Sequence, residues 1–386
     1  KIAEAKTEGV RDIRVLIGKD KFEHNVFWEF GNKALANRHL LITGTSGQGK
    51  TYSIQTMLLE LAKSNVSAVI FDYTEGFMVQ QLEESFKNYL GEKIEQHIVY
   101  STGVPINPFQ RQQVELIPGQ LIMEKESDVA ARLADIFAHV YDFGDQQYSA
   151  IFEAVYNGLV QYGDGMNMKH FQEELEKIVG QNKTARSVMS KLMPFFRTVE
   201  FSSNPNFNWG DILYADEAKV NIIQLTMFTQ EMKVIITEMM LWDVWYYTKK
   251  FGTKDKPFVV VLDEAQNLSH AMKSPSATIL TEGRKFGWSA WFATQSLGVL
   301  KSDEIVRLLQ ASFKLYFKPT DNEIVKIAKQ LDVTGETDWL PEVQKLKKGQ
   351  CIVVGDKMRQ NGTVGPAKPV VTSITSFEER EEIIEC

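Results

Sequence analysis

Cysteine is scarce in this sequence, in which Cys351 and Cys386 are the only two among 386 residues. Two cysteines so far apart argue against a disulfide framework and against a thiolate zinc site, and they are typical of a protein of the reducing cytoplasm. The six histidines show no ligand spacing. We therefore expect a cytoplasmic protein with no metal site built from cysteine or histidine.

Long apolar runs and excess positive charge are also missing. No stretch reaches the roughly 18 apolar residues that a membrane span needs, and no signal peptide opens the chain, so no membrane partner is expected. The net charge is −7, so any contact with nucleic acid must come from a local basic lining such as a pore. The first residue, Lys1, is not methionine, and we expect the chain to be a fragment of something longer.

Glycine, in contrast, is concentrated after an apolar run in "LLITGTSGQGKTYS". Gly44, Gly49, Lys50 and Thr51 fit the phosphate-loop pattern G-x-x-x-x-G-K-[ST], and helically spaced apolar residues follow. In such a strand, loop and helix, backbone N–H groups face phosphates, the lysine reaches the β- and γ-phosphates, and the threonine hydroxyl holds Mg²⁺. The predicted nucleotide-binding residues are Gly44, Thr45, Ser46, Gly47, Gln48, Gly49, Lys50, Thr51 and Tyr52.

A second acidic motif follows the apolar run in "PFVVVLDEAQNL". Asp263, at the end of a buried strand, is placed as a Walker B residue that would hold the Mg²⁺ shell. The next residue, Glu264, is not needed for the metal, but it could accept a proton from water and so allow hydrolysis. Seen alone, the two acids could simply begin a solvated loop.

Two further polar residues lie in "TEGRKFGWSAWFATQS". Gln295 ends another apolar strand, where an amide can sense the γ-phosphate or position the attacking water, although such a residue is often only part of a loop. Arg284, taken by itself, is typical of a surface charge.

The order of patterns predicts an α/β fold of the P-loop NTPase type (RecA/ASCE-like), with a mostly parallel sheet and a helical insertion. We expect five segments. They are an N-terminal β-hairpin left from an upstream domain (1–30), the first part of the core (31–109), an insertion of four or five helices (110–200), the second part of the core (201–370) and a tail (371–386).

The stretches "HLLITGTSGQGKT", "FDYTEG", "PINPF", "VVVLDEAQNL", "GRKFGWSAWFATQS" and "GQCIVVGD" together resemble the HerA and FtsK group of ring-forming, DNA-pumping ATPases, which includes the conjugation coupling proteins. The resemblance extends from about Ile13 to Pro369. Within the group, the chain looks most like the HerA-like component of restriction systems that act on DNA lacking phosphorothioate marks.

This resemblance implies ATP and Mg²⁺ as cofactors, with Lys50 and Thr51 on phosphates and metal and Asp263 in the metal shell. Glu264 would activate water and Gln295 would be the polar sensor. Arg284 lies eleven residues before that glutamine, as does the arginine that acts across the subunit boundary in coupling proteins. The partners implied are further copies in a ring, most simply a hexamer, sequence-independent double-stranded DNA, and a nuclease or other restriction or repair subunits.

Other functions stay open at this point. A DNA-independent regulatory ATPase, whose nucleotide state switches partner binding, is the main alternative, and a nucleotide-stabilised scaffold is a third. For several residues a structural or solvent-exposed role is favoured over a functional one, although the aromatic residues could stack on bases and the basic residues could contact the phosphate backbone. These residues are the acid Glu75, the aromatic residues Trp242, Trp245, Tyr246 and Tyr247, and the basic residues Lys347, Lys348, Lys357 and Arg359, while Lys314 and Lys318 stand near the strands where relatives often have arginine.

Overall fold

The computed structural model describes residues 13–384 apart from 118, 203–206, 333–334 and 360. Residues 1–12 of the expected first segment and 385–386 of the expected tail, with Cys386, lie outside the described residues. The strands are β1 (Val15–Asp20), β2 (Asn25–Trp28), β3 (Leu40–Thr43), β4 (Ala68–Asp72), β5 (Ile94–Ile98), β6 (Gln113–Ile117), β7 (Gln120–Met123), β8 (Val220–Gln224), β9 (Phe258–Leu262), β10 (Trp288–Thr294), β11 (Phe313–Phe317), β12 (Gln350–Val354), β13 (Asp356–Met358), β14 (Val364–Pro366) and β15 (Val370–Ile374). The helices are α1 (Lys50–Lys63), α2 (Glu84–Leu90), α3 (Val99–Thr102), α4 (Glu126–Tyr141), α5 (Asp145–Tyr162), α6 (Met168–Gln181), α7 (Lys183–Thr198), α8 (Trp209–Leu213), α9 (Gln230–Phe251), α10 (Pro275–Glu282), α11 (Ser302–Leu308), α12 (Ile324–Leu331), α13 (Leu340–Lys345) and α14 (Phe377–Ile384).

A sheet of eleven strands organises the described part of the chain, in the order β2-β1-β15-β12-β11-β3-β10-β9-β4-β8-β5. The seven strands from β11 to β5 run parallel to one another, and the other four continue the sheet in antiparallel pairing. Strands β3, β4, β8 and β9 are buried along their whole length because both faces of the sheet are covered. The predicted α/β fold with a mostly parallel sheet is confirmed.

Apolar side chains cover the two faces of the sheet with separate cores. On one face, α1 packs Ile54, Leu58 and Leu61 against the strands. On the other face, α9 and the helices α4 to α7 form one continuous core with the sheet, which includes Phe71 and Phe292. The four helices therefore share their core with the sheet and do not form a separate body.

One element of the insertion differs from its sequence-based expectation. Residues 110–125, expected to begin the helical insertion, contain the antiparallel pair β6 and β7. Gly119 in the turn has a φ of 82°, a conformation that favours glycine. The exposure of Ile117, Leu121 and Ile122 explains why the usual pattern of one buried face did not reveal this hairpin.

The parallel strands give the sheet two functionally different edges. We call the edge where they end the carboxyl edge, which is marked by Thr43, Asp72, Leu262 and Thr294. We call the edge where they begin the amino edge, which is marked by Leu40, Ala68, Phe258 and Trp288. Helix α9 has 22 residues, a length of about 33 Å, and connects the two edges because it follows the end of β8 and precedes the start of β9.

The last described elements are attached to the first ones. Strand β15 pairs with β1. The buried guanidinium of Arg380 in α14 donates hydrogen bonds to the carboxylate of Glu60 in α1 and to the carbonyl oxygens of Leu16 and Ile17. The hairpin β1–β2 is thus an edge of the main sheet, and its origin in an upstream domain stays a prediction. Within the described ranges, no helix has the length and apolar character required to cross a membrane.

Candidate nucleotide site

The backbone of the glycine-rich loop has conformations that are strained for residues with a side chain. Gly44, Gly47 and Gly49 have φ values of 148°, 76° and 108°. A Cβ atom on Gly44 would also lie 2.5 Å from Cβ of Phe317, so a side chain is excluded there by contact as well as by conformation. Helix α1 begins immediately after the loop, at Lys50, and presents its free N–H groups to the same space. The loop has the form of an anion cradle.

Lys50 folds back over this loop. Its Nζ donates to the carbonyl oxygens of Gly44 at 2.5 Å and Thr45 at 3.0 Å. Burial lowers the pKa of Lys50, while Glu264 and Asp263 act in the opposite direction. Because both acceptors are neutral carbonyls, the charge of Lys50 remains available to a phosphate group.

Thr51 and Asp263 face the same space beside the loop. A Cβ atom on Gly76 would lie 3.6 Å from Cγ2 of Thr51 and 3.4 Å from Oγ1 of Thr74, and that Thr74 hydroxyl donates to Oδ2 of Asp263 at 3.4 Å. Burial, followed by Glu264 and Asp72, raises the pKa of Asp263 to about 7. A cation would relieve this crowding of carboxylates.

Thr51 and Asp263 provide too few ligands for a metal that is coordinated only by protein, but they fit Mg²⁺, which keeps water and phosphate ligands. Among the described residues, no group of three or more His, Cys, Asp or Glu side chains could hold a metal. One hydroxyl from Thr51 and one carboxylate from Asp263 would hold the ion and would leave its other positions to water and phosphate oxygens, as Mg²⁺ prefers.

Asp72 forms a network that the sequence did not reveal in full. Its carboxylate accepts from Gln224 Nε2 at 2.8 Å, from Thr74 N at 3.1 Å and from Phe77 N at 3.1 Å. Burial raises the pKa of Asp72, and these hydrogen bonds oppose the shift. The position of Asp72 at the end of a buried strand was a signal, but Gln224 belongs to β8 and only the fold brings it there. The neighbouring Glu75 is exposed.

Glu264 lies beside Asp263 and contacts two amides. It has a φ of 52°, unusual for a residue with a side chain, and it precedes a short 3₁₀ turn at Ala265–Asn267. Gln295, at the end of β10, donates from Nε2 to Glu264 Oε1 at 2.6 Å. Gln266 donates from Nε2 to Glu264 Oε2. The structure therefore brings Glu264 and Gln295 together, and it adds Gln266, which the sequence did not single out.

Arg284 lies elsewhere, at the amino edge. Its Nη2 donates to the carbonyl oxygen of Lys33 at 3.2 Å. Strand β10, with seven residues or about 20 Å of length, separates Arg284 from the carboxyl edge, so the structure does not bring Arg284 to Lys50 of its own chain.

Other cations surround Arg284. The buried Arg38 donates to the carbonyl oxygens of Phe30 at 2.9 Å and Lys254 at 3.0 Å. Burial lowers the pKa of Lys254, with Arg284, Arg38 and Lys33 adding to the shift and Asp255 opposing it. We call Lys33, Arg38, Lys254 and Arg284 the basic cluster; the carboxylate of Asp255, 3.5 Å from Lys33 Nζ, partly offsets its charge.

The other residues predicted to bind nucleotide lie in the glycine-rich loop or form hydrogen bonds that attach it to neighbouring segments. Thr45 donates from N at 2.9 Å and from Oγ1 at 3.1 Å to the carbonyl oxygen of Lys318, and Gln48 accepts from Gly349 N at 2.9 Å. Tyr52 OH accepts from Phe377 N at 3.2 Å. Lys318 thus lies beside the loop of its own chain. Ser46 and Gly47 occupy the tip of the loop between these supports.

Comparisons with known proteins agree with this architecture. A family model described as an AAA-like domain matches residues 30–365. The solved structure of VirB4 from Thermoanaerobacter pseudethanolicus has a TM-score of 0.68 and 16% identity, over 95% of this chain and 98% of that one. The plasmid coupling protein TrwB in complex with ADP and Mg²⁺ has a TM-score of 0.59 and 15% identity, over 88% and 86%. No curated protein matches the sequence significantly. At these identities the structural likeness shows the fold.

Proposed function

Because the chain belongs to the family described as an AAA-like domain and is a P-loop ATPase, we propose that it is the motor of a ring that moves or remodels DNA. The observation that carries the proposal is the convergence of Lys50, Thr51, Asp263 and Glu264 at the carboxyl edge. That edge is where ligands bind in sheets of this kind. The solved complex of TrwB with ADP and Mg²⁺ supports ATP and Mg²⁺ as the cofactors here.

The chain's own residues divide the reaction among them. Lys50 and the N–H groups of the loop bind the phosphates. Thr51 and Asp263 would hold Mg²⁺, which neutralises charge on the β- and γ-phosphates. Glu264 accepts a proton from water while the water oxygen bonds to the terminal phosphorus. The bond from that phosphorus to the bridging oxygen breaks, giving ADP and phosphate. Gln295 orients the water or senses the γ-phosphate.

The place of Arg284 supports a ring. Since about 20 Å of strand separates it from the phosphate loop of its own chain, we propose that it acts on nucleotide held by another copy. The surrounding cations make the amino edge attractive to a triphosphate. A contact between the amino edge of one copy and the carboxyl edge of the next is heterologous, and such contacts form a ring when the rotation between copies closes; we propose a hexamer.

The biological setting rests on the resemblance described from the sequence. We propose that the chain is the ATPase module of DptH, the HerA-like component of phosphorothioation-dependent restriction. In that setting it would act in the cytoplasm with a nuclease or other restriction or repair subunits on sequence-independent duplex DNA. The five segments predicted from the sequence are our proposed division of the module.

Hydrolysis is tested with a pair of variants at the carboxyl edge. Lys50→Ala should lose nucleotide binding and all turnover. Glu264→Gln should retain nucleotide binding but lose about 10²- to 10⁴-fold in kcat, because only proton acceptance is removed. Phosphate release and binding of fluorescent ATP measure the two effects. Undiminished phosphate release from both variants would contradict the proposed chemistry.

Movement on DNA is tested by stimulation. Unrelated DNA duplexes should raise the ATPase rate equally, and the effect should weaken steeply with salt. If about four phosphates are neutralised, the log–log slope of DNA affinity against salt should be about −3.6. No stimulation at low salt, or stimulation by one sequence only, would favour the DNA-independent regulatory ATPase. The assay should use the longest available form of the protein, because ring assembly can require more than this chain.

A further inference from the structure

Both oxygens of the Glu264 carboxylate are occupied by amide donors. Oε1 accepts from Gln295 at 2.6 Å, and Oε2 accepts from Gln266. A carboxylate that is to take a proton from one water molecule must present one oxygen in a fixed direction. Each oxygen keeps a second acceptor direction, so the surroundings of the two amides indicate which oxygen faces the water.

The two donors differ in their surroundings. Gln295 is exposed at the end of β10, beside the space that the terminal phosphate would occupy. Gln266 is half-buried, and its Oε1 is buried without a hydrogen-bond partner among the described residues. Burial of an unpaired oxygen is unfavourable. The reverse orientation, however, would direct that oxygen at the negative carboxylate of Glu264, so the amide is fixed with its N–H group toward Glu264.

The backbone between Glu264 and Gln266 is also fixed. The left-handed conformation of Glu264 starts the 3₁₀ turn that carries Gln266. Ala265 is fully buried, and its carbonyl oxygen lies 2.7 Å from Nε2 of the buried His270. The backbone spacing between Glu264 and Gln266 is thus set by a local turn.

We propose that Gln266 is a positioning residue for the general base, and this inference rests on the proposed role of Glu264 in hydrolysis. Gln266 holds Oε2 in place throughout the cycle. Oε1 is the oxygen that accepts the water proton, after Gln295 has turned from it toward the nucleotide. Gln266 itself touches neither nucleotide nor water.

The test compares the same substitution, glutamine to methionine, at two positions of the otherwise unaltered chain. Gln266→Met keeps the length of the side chain but removes the amide, and we expect kcat to fall about 10²-fold because a misaligned base is a poor one. The dissociation constant for MgADP and the melting temperature should stay at wild-type values. Gln172→Met is the matched control, because Gln172 also donates to a carboxylate, that of Glu176 at 2.9 Å, but on the surface of α6. It should leave kcat unchanged.

A second background separates positioning from structure. In Glu264→Gln, where the base is already absent, adding Gln266→Met should cause no further loss of kcat. If Gln266→Met does not fold, the nearly isosteric Gln266→Glu replaces it, and its carboxylate should reduce kcat further by repelling Glu264.

The outcomes are distinguishable. An unchanged kcat in Gln266→Met, or an equal loss in the presence and absence of the Glu264 carboxylate, overturns the positioning role and leaves the proposed ATPase intact. A loss of MgADP affinity together with the loss of kcat also overturns it, in favour of a structural role. Turnover that is absent, or independent of Glu264, in the wild-type chain overturns the proposed function and this inference together.

Discussion

The two edges of the sheet carry different ionisable groups. At the carboxyl edge, three carboxylates lie with Lys50 and Lys233; burial raises the pKa of Asp72, and burial together with Glu264 and Asp72 raises that of Asp263. At the amino edge the basic cluster lies beside Asp255, and the pKa of Lys254 is lowered by burial and by Arg284, Arg38 and Lys33. The same strand, β10, carries Gln295 at one edge and follows Arg284 at the other.

This difference teaches that each edge is electrostatically incomplete. Neither a group of carboxylates nor a group of cations is at its most stable without the opposite charge. A single copy cannot bring the edges together, because a strand of fixed length lies between them. Mg²⁺ at the carboxyl edge, and the phosphates of nucleotide on a neighbouring copy at the amino edge, would supply the charge that each group of residues lacks.

Among the variants that compare the two edges, the largest effect is expected for Arg284→Ala, which should lower kcat by about 10³- to 10⁵-fold if Arg284 acts as a trans-acting arginine. Mixing this variant with Glu264→Gln should restore part of the activity, because one kind of mixed boundary then has both an intact base and an intact arginine. Phosphate release across a series of mixing ratios measures the rescue. Lys285→Ala, next in sequence and exposed, is the control. If the activity of each mixture is only the average of the two variants, Arg284 does not act across the boundary between copies.

A smaller effect, about 10²- to 10³-fold in kcat, is expected for Gln295→Met, since one polar group near the reacting phosphate is lost. Here mixing with Glu264→Gln should give no rescue, because Gln295 contacts Glu264 of its own chain and no boundary regains both residues. The same mixing series provides the measurement. Rescue as strong as that of Arg284→Ala would show that the two ends of β10 do not differ in the way proposed.

The smallest effect is expected for Lys254→Ala at the amino edge. Removing one partly exposed charge should raise the barrier by about 0.2–1 kcal/mol, or roughly 1.4- to fivefold in kcat/KM, and the loss should shrink as salt is added. Lys169→Ala, an exposed lysine on α6, is the matched control. Equal losses in the two variants would limit the functional part of the amino edge to Arg284.

Features formed by residues that are adjacent in sequence were predictable from the sequence. The loop from Gly44 to Thr51 and the acids Asp263 and Glu264 follow strands that are buried on both faces, and such strands have a continuous apolar pattern. The parallel sheet followed from the alternation of these strands with helices.

Features that depend on the fold were not predictable in the same way. The bond from Gln224 to Asp72 joins two strands that are adjacent in the sheet but 152 residues apart in sequence. Gln266 is close to Glu264 in sequence, but its role depends on a left-handed backbone at a glutamate, which no residue preference indicates. Lys318 stands beside its own phosphate loop because β11 is parallel to β3, and this pairing could not be read from the residues alone.

Helix α9 has a mechanical consequence. At its first turn, Lys233 Nζ donates to the carbonyl oxygen of Tyr73 at 2.6 Å, next to Asp72. Near its last turn, Trp245 packs edge-on against Phe286, two residues after Arg284, with ring centroids 5.4 Å apart. A continuous helix resists compression and bending over about 33 Å. It therefore acts as a strut, and we expect a displacement of the loop after β4 on nucleotide binding to be transmitted along the helix to Arg284, the residue proposed to act on the next copy.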